Sequence, residues 1–256
     1  MKTLAGAAKY SFAIISLLWC SCTVTKPQAT QFDAVHYDAA YIKIDSTISK
    51  DQKMESFLAP YRKAVDSAMD IVIGYSDMPF TKAQPECTLG DFITDAQLQY
   101  AQRTNPDVKI SVLNYGSIRL PYLAPGGISK GQVFEIMPFD NMLTIVEVPG
   151  KVLKQFCNHI AAWGGWPVSG ISFKIKGREA QDMLVNGAPI NDQLIYNIAM
   201  PDYVANGGDD CDFLMDCKKQ YLKVFTRDIL IDYISALQSK NEKLHINIEK
   251  RISYAE

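Results

Sequence analysis

Asn114-Tyr115-Gly116-Ser117-Ile118-Arg119 and Asn206-Gly207-Gly208-Asp209 decide how this chain reads. The first follows an apolar, strand-like run over 108–113, and the second follows another over 196–200. Each is therefore a polar, glycine-bearing turn at the end of a strand, where backbone can approach a ligand closely. A third stretch, Met137-Pro138-Phe139-Asp140-Asn141, lies between them and leads into the apolar run 142–148.

Outward from these turns the elements interleave. Thr88 and Asp91 have capping-box spacing, which gives Asp91 a capping role at the start of a helix. The apolar face of that helix is Leu89, Phe92, Ile93, Ala96 and Tyr100. Gly150 opens another helix with Val152, Leu153, Phe156, Cys157 and Ile160 on one side, and Thr226 caps a late one with Ile229, Leu230, Tyr233, Ile234 and Leu237. Ile171-Ser172-Phe173-Lys174-Ile175 alternates as a strand does, and Asn186-Gly187 favours a tight hairpin turn. Upstream, Tyr41-Ile42-Lys43-Ile44-Asp45 alternates and predicts a strand, as does Ile71-Val72-Ile73-Gly74. Ser49 and Gln52 predict a cap for a helix with Met54, Phe57, Leu58, Tyr61, Val65 and Ala68 at helical spacing. Pro60 inside that pattern predicts a kink or break. Without a regular βαβ rhythm, the fold class is α+β, with mixed sheet layers and packed helices.

The ends differ in character. Lys2 and Lys9 precede a short apolar core at 12–19, too short for a bilayer span of about 20 residues. Residues 1–21 thus read as an export signal, 22–40 as a tether and 41–256 as the folded domain. Leu17-Leu18-Trp19-Cys20-Ser21-Cys22 resembles a bacterial lipobox, with Cys22 as the lipidation site, because small Ser21 precedes it while Cys20 follows bulky Trp19. Cys20, or a plain cleaved signal, is the alternative. Loss of residues 1–21 removes Lys2 and Lys9 and no acid, so the net charge of −2 becomes −4. No basic stripe points to nucleic acid. Cys87, Cys157, Cys211 and Cys217 remain; Cys211 and Cys217 would close a small disulfide loop, or all four are buried or free thiols. There is no C-x-x-C spacing for a structural zinc site.

The two turns, with the Pro138-Phe139-Asp140-Asn141 stretch between them, resemble the C-terminal, substrate-specificity domain of the 5'-nucleotidase / UDP-sugar hydrolase family. The resemblance covers about 45–254 and is densest over 88–209. It implies that Arg119 contacts substrate and that Phe139 and Tyr203 sandwich a nucleobase. It also implies that Asn141 and Asp209 bond the sugar or base edge, with Asn114 in the same substrate-binding set. Any planar base offers a π-face, so stacking contributes about 1–3 kcal/mol per base. Where the family usually has three glycines this chain has Tyr115-Gly116-Ser117, which would narrow the site or add hydroxyls. Asp91 stands where the family often has Asn or Arg, and a carboxylate there would repel phosphate. The plain alternatives are a surface ion pair for Arg119, a core position for Phe139 and an ordinary turn at 206–209.

The family's catalysis needs clustered Asp, His and Asn metal ligands. The three histidines, His36, His159 and His245, stand in no Asp-x-His or Gly-His pair, and they read as surface or helix-face residues. The stretch before residue 80 is too short for a metallophosphatase domain. No cofactor and no catalytic residue is therefore expected in this chain, with divalent metals on a partner phosphatase. The implied function is a lipid-anchored nucleotide-binding specificity domain in the bacterial envelope, facing the periplasm. It would act in nucleotide catabolism with a separately encoded metallophosphatase. The alternatives are a non-catalytic nucleotide- or nucleoside-binding protein and a scaffold with a degenerate pocket.

Overall fold

Two apolar cores lie on opposite faces of one five-stranded sheet in a computed structural model of the chain, which describes residues 40–255. The elements begin with α1 (Gln52–Met69), β1 (Val72–Ser76), β2 (Phe80–Thr81) and α2 (Thr88–Thr104). They continue through β3 (Val108–Val112), β4 (Tyr122–Leu123), β5 (Gly126–Ser129), α3 (Lys130–Ile136), β6 (Met142–Pro149) and α4 (Gly150–Ala162). Next come β7 (Val168–Ser169), β8 (Ile171–Lys176), β9 (Glu179–Val185), β10 (Ala188–Pro189) and β11 (Ile195–Pro201). The one-turn α5 (Asp202–Ala205), β12 (Lys218–Phe225), α6 (Thr226–Ser239) and β13 (Ile252–Tyr254) complete the order. The compact unit runs over Asp51–Glu256.

The central sheet has the order β12-β6-β11-β3-β7. β11 runs parallel to β3 and antiparallel to β6, so mixed sheet and packed helices occur together as α+β predicts. Burial on both faces explains the near-continuous apolar run of β6. Leu143 and Ile145 join the core formed with Leu89, Phe92 and Ile93 of α2 and Ile229 and Leu230 of α6. Val146 and Val148 join the other, with Leu153, Phe156 and Ile160 of α4. α4 in turn touches β8 and β9 of a second sheet, β10-β9-β8-β13. Asn186 and Gly187 take φ values of 47° and 81° and make the expected tight turn between β9 and β10.

Several local expectations are corrected. Residues 41–45 form no strand, and Tyr41, Ile42 and Ile44 are exposed: alternation alone makes no ladder without a partner. Asp51, not Ser49, caps α1, accepting from Lys53 N at 2.8 Å and Met54 N at 3.1 Å. α1 runs through Pro60 without a break, and none of its residues is buried. Cys87, not Thr88, caps α2 through its sulfur, while the Thr88 hydroxyl accepts from Thr81 N outside the helix. Asp91 therefore lies one position too far along to cap, and it is buried. Thr226 is the first residue inside α6 rather than its cap, and its hydroxyl has no partner. Cys87, Cys157, Cys211 and Cys217 are free thiols. Cys22, His36 and the 1–21 signal lie outside the described residues.

Candidate functional site

Topology brings the three motif loops together. Because β3 and β11 are parallel, their C-terminal ends share one edge of the sheet. β6 is antiparallel to β11, with Leu143 opposite Pro201, so the start of β6 lies at that same edge. The loop after β3 (114–119), the loop before β6 (138–141) and the loop after β11 (203–209) thus meet outside the carboxyl ends of two parallel strands, a common place for ligand crevices in such sheets.

All six residues expected to bind substrate line one open cavity of about 240 Å³: Asn114, Arg119, Phe139, Asn141, Tyr203 and Asp209, joined by Gly116 and Ser117. Small-molecule clefts and cavities usually span about 300–1,000 Å³, so this one is small for a whole ligand. Arg119 stands with its guanidinium carbon 4.9 Å from the centre of the Phe139 ring, an Arg–aromatic contact. No carboxylate among the described residues pairs with Arg119. Phe139 and Tyr203 are both exposed, so neither is a core residue.

Asp209 is the node of the polar network. Its Oδ1 accepts from the Tyr203 hydroxyl at 2.9 Å and its Oδ2 from Asn114 Nδ2 at 2.6 Å. Ser117 Oγ donates to Asn114 Oδ1, which fixes the amide orientation. Ionising Tyr203 would set a second anion beside Asp209, so this bond pushes the phenol pKa up. Asp209 itself sits at φ 51°, ψ 45°, left-handed backbone that Asp tolerates better than most residues. Gly207 precedes it at φ 94°. A Cβ on Gly208 would lie 2.5 Å from the Tyr203 ring and 2.6 Å from the Tyr203 carbonyl, so only glycine lets that ring lie where it does.

Sequence reasoning missed three supporting residues. Arg227 of α6 is buried and reaches back to the loop before β6, donating to Met137 O at 3.4 Å and Phe139 O at 3.3 Å and pairing with Asp140 at 2.7 Å. His159 of α4, edge-on to Trp166, places Nε2 2.9 Å from the Asp209 carbonyl; a carbonyl only accepts, so Nε2 carries the proton. Lys82 donates to Ile118 O at 2.7 Å and lies 4.1 Å from the centre of the Tyr115 ring, its pKa lowered by burial and then by the Arg119 cation. Each acts over dozens of residues of separation, so no local pattern announces it. Asp91, where a carboxylate was expected to repel phosphate, stands apart from the site. Asp91 is absent from the cavity lining and faces Arg251, 3.8 Å away, and its Oδ2 has no hydrogen-bond partner.

Comparison with known sequences identifies the family. A family model described as 5'-nucleotidase, C-terminal domain, matches residues 72–216, more than half of the chain. The chain belongs to that family. Protein 5NUC of Lutzomyia longipalpis is 28% identical over 204 residues, covering 66% of this chain and 36% of its own length. Protein UshA of Escherichia coli K12 is 25% identical over 211 residues, covering 78% and 37%. This 5'-nucleotidase C-terminal domain therefore spans little more than a third of either relative. The crystal structure of a 5'-nucleotidase precursor from Thermus thermophilus shares the fold, with a TM-score of 0.68 at 24% identity over 79% of this chain and 43% of that one.

Proposed function

We propose that this chain is the nucleotide-binding specificity domain of a 5'-nucleotidase-type hydrolase, held in the bacterial cell envelope by a lipid on Cys22. In this reading it acts in nucleotide catabolism with a separately encoded metallophosphatase. One observation carries it: six residues from three motifs far apart in sequence line a single cavity at one edge of the sheet. The aromatic rings of Phe139 and Tyr203 supply stacking faces, and Arg119, Asn141, Asn114 and Asp209 supply the polar contacts that orient a nucleoside. The phosphate end of the ligand projects from a cavity this small, toward a metal centre on the partner. There, divalent cations would activate the water that attacks phosphorus. This chain's own part is to bind and orient. The lipid on Cys22 would keep the complex at a membrane surface facing the periplasm, with more than one acyl chain needed for a stable anchor.

The test is a phosphate-release assay on AMP with a metallophosphatase lacking its own C-terminal half. The expected result is turnover that rises on adding this chain and falls with Tyr203→Ala. Turnover indifferent to this chain would contradict the partnership. Labelling with a palmitate analogue checks the anchor: Cys22→Ser should abolish incorporation, and unlabelled wild type would contradict lipidation.

A further inference from the structure

Among the described residues, α1 is a helix without a core of its own. Its apolar residues Phe57, Leu58, Tyr61 and Val65 stand three, four, seven and eleven positions after Met54, which gathers all five into one stripe about 100° wide. Each keeps between 38% and 62% of its surface in water. The rings of Phe57 and Tyr61 pack against each other along the stripe, with centres 5.7 Å apart. The C-terminal end of the helix is fastened to the domain. Met69 lies so close to Gly131 of α3 that a Cβ there would meet it at 3.2 Å, and Lys130 N donates to Ile71 O at 2.9 Å. Side chains of these sizes, exposed to that extent, offer roughly 600 Å². That is the upper end of what a monomer leaves uncovered, and it approaches the about 800 Å² that each partner gives to a stable interface.

The occupant follows from where the helix lies along the chain. The C-terminal-domain match begins at Val72, just after α1 ends at Met69. The match to UshA covers 78% of this chain, so wherever it begins it takes in more than half of the helix, yet it spans only 37% of UshA. Most of the remaining length of UshA precedes its C-terminal domain, so α1 corresponds to the stretch by which that larger part joins it. A lipid surface fits less well. The polar side of α1 sets Lys53, Arg62 and Lys63 against Glu55 and Asp66, with Arg62 paired to Glu55 at 3.0 Å, and so lacks the marked basic excess of helices that lie on membranes.

We propose that the apolar stripe of α1 is the docking surface for the metallophosphatase, with Phe57 and Tyr61 as its anchors. The inference rests on the partnership reading above. Interfaces concentrate their energy in a few buried side chains, aromatic ones above all, so these two rings carry most of the contact. The chain then divides its work: α1 recruits the enzyme, and the cavity at the sheet edge orients the nucleotide.

The phosphate-release assay on AMP tests it, run as a titration of this chain into the metallophosphatase lacking its own C-terminal half. Wild type is compared with Phe57→Ser/Tyr61→Ser and with Lys63→Ser on the polar side. The double variant is expected to need at least about ten-fold more chain for half-maximal turnover, with turnover at saturation unchanged, while Lys63→Ser behaves as wild type. Calorimetric titration of AMP into the chain alone should give all three the same affinity; a fall in the double variant would make α1 act through the cavity and overturn the proposal. Equal half-maximal concentrations for wild type and double variant also overturn it and leave the partnership standing. Turnover indifferent to wild type takes down the partnership and this proposal with it. Sedimentation of the chain alone reads the rival occupants. A wild-type dimer that the double variant dissolves assigns the stripe to a second copy. Binding of the Cys22→Ser chain to phosphatidylethanolamine–phosphatidylglycerol vesicles, lost on adding the double substitution, assigns it to lipid. Either result overturns the proposal.

Discussion

Asp91 is a buried carboxyl with one oxygen unpartnered, and its burial has a measurable consequence. Loss of water pushes its pKa up to about 8; the Arg251 cation pulls against this, and the Glu86 and Asp95 carboxylates add to it. In the unfolded chain an Asp titrates near 3.9, so between about pH 4 and pH 8 the folded state holds a proton the unfolded state has lost. Stability therefore falls as pH rises through that window. Asp91→Asn keeps the shape and removes the titration. It should stabilise the protein by about 1–3 kcal/mol at pH 8 and flatten the slope, as urea melts from about pH 4.5 to 8.5 would register. A second residue, Arg227, secures the loop that presents Phe139. Arg227→Met keeps much of the bulk but leaves the Met137 and Phe139 carbonyls without that donor, an expected loss of about 1–3 kcal/mol with weaker nucleoside binding. The residues touching the cavity were legible because each sits in a short motif that carries the resemblance to the family. Arg227 and His159 were not, because their partners lie 88–90 and 50 residues away.

Among the elements, the turn after β11 leaves no room for a side chain at Gly208. Gly208→Ala would press a methyl group against both the Tyr203 ring and its carbonyl. Overpacking of this kind costs about 1–3 kcal/mol. The expected outcome is a lowered melting temperature and loss of nucleoside binding, read in the same titration. The three inner strands of the central sheet, β3, β6 and β11, were readable from their apolar runs, because burial on two faces leaves a continuous signal, whereas β12 has no buried residue and β7 is two residues long. Helix starts were less so. The capping-box spacing fits Ser49 and Thr88 in letters and Thr226 reads as a cap, yet Asp51 and Cys87 cap α1 and α2, and Phe225 precedes α6 without a side-chain bond. At α2 a tertiary contact sets the start, since Thr88 is turned to Thr81 N, and short-range spacing does not encode that contact; at α1, Asp51 stands nearer the helix than Ser49 and takes the cap locally. α1 shows the same limit: its apolar residues recur at helical spacing, yet none is buried within the described unit. Phe57→Ser is accordingly expected to shift stability by no more than about 0.5 kcal/mol, checked by chemical denaturation.

At the scale of the whole molecule, the described unit is built on a sheet with two faces buried and a cavity at one edge. His159 is committed to the Asp209 carbonyl and His245 to Asp77, so these histidines serve structure in the described unit. The purified chain alone is expected to release no phosphate from AMP with added manganese, cobalt or zinc. Turnover that co-purifies with the polypeptide would contradict that expectation. The central claim, a nucleoside held between Phe139 and Tyr203, is tested most directly by calorimetric titration of AMP into the wild-type chain and Tyr203→Ala. Removing one stacking face should cost about 1–3 kcal/mol, roughly five- to more than a hundred-fold in affinity. Absence of binding up to millimolar AMP by folded wild type, or equal binding by Tyr203→Ala, would contradict the account.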